Sequence, residues 1–205
     1  MPFDAAVESR ATNLYFDRTF GCPAAKILPG EFYVTDRRMV LVTTLGSCVA
    51  ACIRDPDLGI GGINHFMLPE ATSLDPGAPV SPSARYGTYA MELLVNELVK
   101  LGARRNRLEA KVFGGGNVLG GMSVTCVGPR NASFVLGYLS LENIPVLSKD
   151  LVENYARKVY FFPDTGKVLV KKLRTVRNDT LVERETDYAK KLRFAPFSGD
   201  VELFE

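Results

Sequence analysis

Between residues 31 and 173 the chain is a series of short apolar runs, each cut by Gly, Pro or Asp. Glu31-Phe-Tyr-Val-Thr35 and the β-branched run Met39-Val-Leu-Val-Thr-Thr44 read as strands. Cys48-Val-Ala-Ala-Cys-Ile-Arg54 and Gly59-Ile-Gly-Gly-Ile-Asn-His-Phe-Met67 are apolar runs on either side of Asp55-Pro-Asp-Leu58. Asp followed by Pro opens a β-turn: Asp hydrogen-bonds its own backbone and Pro presets φ. The two runs are therefore expected as a buried hairpin. Arg107–Phe113 and Ile144–Leu147 add strands, and Val124–Val127, with Cys126, is strand-like. Arg157–Phe162 and Lys167–Lys171 form a second hairpin across Pro163-Asp-Thr-Gly166.

Two stretches change period. From Tyr86 to Leu101, Ala90, Leu94, Leu98 and Leu101 fall on one helical face, with Ser83 as a cap and Gly102 as a stop. Asn131 is expected to cap a second helix, Ala132 to Asn143, with Val135, Leu136 and Leu139 inward. Residues 1–30 show Gly and Pro punctuation without a period and read as an N-terminal extension. Residues 70–84 form a Pro, Ser and Gly-rich loop beside the first hairpin, and residues 174–205 a polar tail of solvated helix and coil. With about seven or eight strands and two main helices, the reading is α+β: a layered sandwich in which helices cover a sheet. The expected domain is 31–173.

Composition narrows the function. Hydrophobic residues are 46% and charged residues 23% of 205, ordinary for a globular domain. The 25 basic and 23 acidic residues nearly cancel, which gives no footprint for nucleic acid. No apolar run approaches a membrane span, and the first residues lack the apolar core of a signal peptide. Four cysteines without a Cys-x-x-Cys pair are expected as reduced thiols in a cytoplasmic protein.

The chemistry gathers in the first hairpin, which carries His65, the one histidine. A turn centred between Pro56 and Asp57 sets Arg54 opposite Gly59, and Cys48 opposite His65. Opposed residues have Cβ atoms roughly 4.5–5.5 Å apart, close enough for an imidazole to take a thiol proton. A bulge at Gly61-Gly62 would instead send the two to opposite faces. Gly46 allows a sharp backbone turn, so the N–H groups of Ser47 and Cys48 are candidates for an oxyanion site; a plain bulge accounts for them equally well. Thr43 and Thr44 lie near enough in sequence to orient the imidazole. Cys48, Cys52 and His65 supply three of the four ligands of a structural zinc site, which leaves that alternative incomplete. Gly114-Gly-Gly116 lacks the spacing of a phosphate loop; its glycines suit close approach of backbone to a substrate, and a tight loop without function accounts for them at least as well.

These residues resemble the CheD family of chemoreceptor glutamine deamidases. The likeness rests on Leu45-Gly-Ser-Cys-Val-Ala-Ala-Cys52, Asp55-Pro56, Gly61-Gly-Ile-Asn-His-Phe-Met-Leu-Pro69, Arg107-Leu-Glu-Ala-Lys111, Gly114-Gly115 and Thr165-Gly-Lys167, across residues 28–175. It implies a three-layer α/β/β sandwich, with Cys48 as nucleophile and His65 as base. It also implies a threonine as third member, taken here as Thr43 rather than its neighbour Thr44. The implied substrates are glutamines on the cytoplasmic helices of methyl-accepting chemotaxis receptors, and the implied activity is that of a protein-glutamine glutaminase needing no metal or cofactor. The implied location is cytoplasmic, at receptor arrays, and some members bind the CheC phosphatase. Two other classes compete: a small-molecule cysteine amidase or peptidase, and a non-catalytic adaptor for receptors or a CheC-type phosphatase.

Overall fold

The computed structural model describes residues 9–68, 82–117, 127–173 and 179–194. Eleven strands and three α-helices are present among them. A six-stranded sheet has the order β1(Ser9–Arg10)-β4(Glu31–Thr35)-β7(Ile60–His65)-β6(Val49–Asp55)-β8(Glu109–Gly114)-β9(Val146–Leu151). A five-stranded sheet has the order β11(Lys167–Leu173)-β10(Ala156–Phe162)-β5(Val40–Leu45)-β3(Cys22–Ile27)-β2(Asn13–Asp17). Most neighbours are antiparallel, but β1–β4, β3–β5 and β8–β9 are parallel. Helices α1 (Pro82–Lys100) and α2 (Val127–Leu141) pack on the six-stranded sheet, whose β4, β7 and β8 touch β3, β5 and β10 of the five-stranded one. The fold is α+β.

The strand runs of the middle region alternate or are wholly buried, as a sheet covered on both faces requires. Helix α1 buries Ala90, Met91, Leu94, Val95 and Leu98. It begins earlier than the sequence pattern suggests, at Pro82, and leaves Leu101 exposed beyond its end. Gly102, at φ 105°, closes it through bonds from Gly102 N–H and Ala103 N–H back to Val99 and Leu98. One apolar cluster runs from Ala11 and Ile27 through β5–β7 to Tyr188 and Leu192.

Four expectations change. Residues 9–27, read as an extension without regular structure, form three strands in the two sheets. Asn131 is not a cap: α2 starts at Val127, with Pro129 in its first turn where no N–H is needed, and Asn131 is buried inside it. The first hairpin closes at Asp55 opposite Ile60, around a four-residue loop, so Arg54 faces Gly61 rather than Gly59. The cause is Gly59, whose φ of 66° lets its N–H reach Asp55 O at 3.0 Å. In the polar tail, Asp179–Phe194 forms helix α3 with Leu181, Glu185, Tyr188 and Leu192 buried. The strand-like run at Cys126 and most of the loop at 70–84 lie outside the described residues.

Candidate active site

The hairpin register is two residues from the expected one, and a shift of two preserves the face. Val49 pairs with Phe66 through reciprocal bonds of 2.9 and 3.0 Å, so Cys48, just before β6, lies diagonal to His65 on the same side of the ribbon. That side faces the five-stranded sheet, where Thr43 on β5 meets the imidazole. Cys48 is 0% and His65 1% exposed.

Thr43 fixes the tautomer. Its Oγ1 lies 2.8 Å from Ile27 O and 2.8 Å from His65 Nδ1. A carbonyl only accepts, so the single hydroxyl proton goes to Ile27 O, and Oγ1 must accept from Nδ1–H. The other nitrogen, Nε2, is then the basic one. It is buried and has no hydrogen-bond partner among the described residues. Burial pushes the His65 pKa down to about 4, against the opposing pull of the Glu185 carboxylate, so the ring is neutral at neutral pH.

The Gly46–Cys48 loop is held by its carbonyls. Gly116 N–H donates to Gly46 O at 2.7 Å and Gly115 N–H to Cys48 O at 2.7 Å. Asn131 Nδ2 donates to Ser47 O at 2.9 Å, while its Oδ1 accepts from Leu68 N–H at 2.9 Å. With three successive carbonyls tied on one side, three N–H groups turn the other way and converge. The glycines permit this approach: a Cβ on Gly114, at φ 112°, would sit 2.2 Å from Cys48 O. The triple glycine, expected as a tight loop, is thus the clamp of the cysteine loop.

What the N–H groups converge on is Glu185 from α3. Its Oε1 accepts from Gly46 N–H at 2.7 Å and Cys48 N–H at 3.3 Å. Its Oε2 accepts from Ser47 N–H at 2.8 Å and Ser47 Oγ at 2.7 Å. A Cys48 Sγ, a His65 ring nitrogen and a Glu185 oxygen all lie within 4.8 Å of one another. The structure therefore brings Cys48, His65 and Thr43 together with two residues the sequence reading gave no part in the site, Glu185 and Asn131. The signal for Glu185 was a lone acid in an otherwise apolar stripe at helical spacing. Cys52, raised as a zinc ligand, is not in this group; it stands opposite Ile63, and burial drives its thiol pKa well up. Among the described residues, Cys48, His65 and Glu185 are the ones that could share a metal, although both Glu185 oxygens already accept N–H bonds.

A sulfur beside a neutral base, with amides aimed at one point, suits acyl chemistry on a carbonyl carbon. Comparison with known proteins points the same way. The family model for CheD chemotactic sensory transduction matches residues 67–172, beginning just past His65. The chain is 64% identical over 197 residues to "Probable chemoreceptor glutamine deamidase CheD 1" of Dechloromonas aromatica, covering 96% of each. It is 62% identical over 197 residues to "Probable chemoreceptor glutamine deamidase CheD" of Methylobacillus flagellatus, covering 96% of this chain and 97% of that one. A relative of that same name from Thiobacillus denitrificans is 60% identical over 200 residues, 98% of each. At this identity over nearly the full length, the chain belongs to the CheD family of chemotactic sensory transduction proteins.

Proposed function

We infer that this chain is a chemoreceptor glutamine deamidase, hydrolysing side-chain carboxamides of receptor glutamines to carboxylates, as its relatives are named for doing. The observation that carries the chemistry is the convergence of the Gly46, Ser47 and Cys48 N–H groups beside a thiol and an orphaned imidazole nitrogen. No other arrangement among the described residues offers nucleophile, base and oxyanion donors at one point.

Cys48 is the nucleophile in this reading and His65 the base. His65 Nε2 takes the thiol proton as Sγ bonds to the carboxamide carbon, and the oxyanion falls in the amide cradle. The C–N bond breaks as Nε2–H gives its proton to the leaving nitrogen, releasing ammonia and leaving a thioester. Water, losing a proton to Nε2, then adds to the thioester; the C–S bond breaks and sulfur regains its proton. Thr43 holds the ring with Nδ1 protonated throughout. Each turnover leaves a new negative charge on a receptor helix.

The finer parts of the reading rest on family resemblance with some support here. The α/β/β layering is favoured by α1 and α2 both packing on strands of the six-stranded sheet. Residence at receptor arrays in the cytoplasm fits a substrate on receptor cytoplasmic helices; among the described residues no helix is long and apolar enough to cross a membrane. A CheC-type phosphatase is the further partner proposed. The test is mass spectrometry of a receptor cytoplasmic fragment after incubation with the protein. The expected result is a gain of one dalton per modified glutamine, with ammonia released; an unmodified fragment, under conditions where the protein binds it, refutes the activity.

A further inference from the structure

Deamidation gives Glu185 no task, yet this side chain fills the centre of the site. Leu181, Glu185, Tyr188 and Leu192 form the buried stripe of α3, and only Glu185 among them is charged. Its carboxylate is 1% exposed and takes bonds from three backbone N–H groups and one hydroxyl. Such charge-assisted bonds are the strong kind. A side-chain carboxylate, carried on a helix, seated among oxyanion donors and next to a thiol, has the chemical form of the reaction's product.

We propose that α3 is a product mimic built into the chain: Glu185 occupies the amide cradle as a finished glutamate would, and a substrate segment must displace α3 before it can react. This rests on the deamidase reading above. Two further observations carry it. Cys48 and His65 have essentially no exposed surface while α3 is docked, so a carboxamide on another protein does not reach Sγ in this arrangement. And among the described residues α3 docks through side chains: Glu185 in the cradle, the Tyr188 hydroxyl against that of Tyr86, and the two leucines. Among the described residues no backbone–backbone bond joins it to a strand.

A cavity of about 540 Å³ opens beside α3, lined by Thr43, Thr44 and His65, with Leu181 and Arg184 from α3. Lys26 and Lys158 line it too, and with Arg184 they favour an acidic incoming segment. This is where a receptor helix bearing carboxylates near its glutamine would gain a first foothold. The cradle's ligand class is thus an acyl side chain of glutamate length on a helix: the Glu185 carboxylate in cis at rest, and a glutamine carboxamide in trans during turnover.

The full-length Glu185→Ala variant tests this against wild type and Cys48→Ala. Initial rates on a receptor cytoplasmic fragment are read by mass, and Cys48 labelling by iodoacetamide at neutral pH. The expected rise in both is on the order of ten-fold, the gain of a site that was open about one-tenth of the time. An equal or lower rate with Cys48→Ala inactive overturns the mimic and leaves the deamidase standing. Full activity in Cys48→Ala overturns the deamidase reading and the mimic with it. Should Glu185→Ala fail to fold by circular dichroism, Glu185→Gln decides. Its new carboxamide is a substrate in cis, and residue 185 should gain one dalton on standing, but not when combined with Cys48→Ala. An unchanged mass together with an unraised receptor rate overturns the proposal.

Discussion

The strands β5, β6 and β7 and the helix α3 meet at one carboxylate but are held by different means. Around the thiol, every loop carbonyl from Gly46 to Cys48 has a fixed donor, and β7 is paired on both sides. Such dense backbone bonding belongs to the high-stability end of a fold's range of local openings. Helix α3 rests on one face of its own side chains. The reacting groups belong to the part knitted by backbone bonds, and Glu185 to a helix docked on it through one face of side chains, which is where a displaceable element belongs.

The contrast can be broken most strongly at the dyad. Cys48→Ala should abolish ammonia release with a melting curve close to wild type, and His65→Ala should lower it by about 10²–10⁴-fold in a protein that still folds but melts lower, having lost a buried, hydrogen-bonded ring. Full activity in either would move the chemistry elsewhere. Next comes the clamp. Gly114→Ala puts a methyl group against Cys48 O in a backbone conformation that resists it, and should cost about 2–4 kcal/mol in denaturant titration as well as activity. Asn131→Ala strips Ser47 O and Leu68 N–H of their partner; about 1–3 kcal/mol is expected, with a fall in kcat beyond what instability explains. A pH titration of stability sharpens the picture of the buried ring. The folded protein takes up the His65 proton near pH 4 and the unfolded chain near 6.5, so His65's contribution, whole above pH 6.5, should drain away as pH falls toward 4. The smallest effect belongs to Cys52→Ser, which should stay active and lose about 1 kcal/mol from its apolar surroundings. In wild type, Cys52 should resist alkylation at neutral pH because burial keeps it protonated.

The dyad was legible because a hairpin turns short-range spacing into contact. Even a register off by two kept Cys48 and His65 on one face, since strand side chains repeat every second residue. The strands of residues 9–27 were not legible. Asn13-Leu-Tyr-Phe-Asp17 is an edge strand with four exposed residues and no alternation, and Cys22-Pro-Ala-Ala-Lys-Ile27 hides its β character behind Pro and Ala. Glu185 was the hardest. It bonds Gly46, Ser47 and Cys48, far away in sequence, mostly through backbone N–H groups, and backbone leaves no mark in a sequence. A polar helix with mixed charge looks solvated unless its single stripe is followed residue by residue.

Thr43 belongs to the five-stranded sheet and His65 to the six-stranded one, and the buried Arg157 of β10 ties them again by gripping Asp150 of β9 at 2.8 Å. The ring's orientation is therefore a measure of how the two sheets are seated. If they slid apart by an ångström or two with every strand intact, turnover would fail before any spectroscopic sign of melting. In this enzyme, catalysis is the most sensitive gauge of its own architecture.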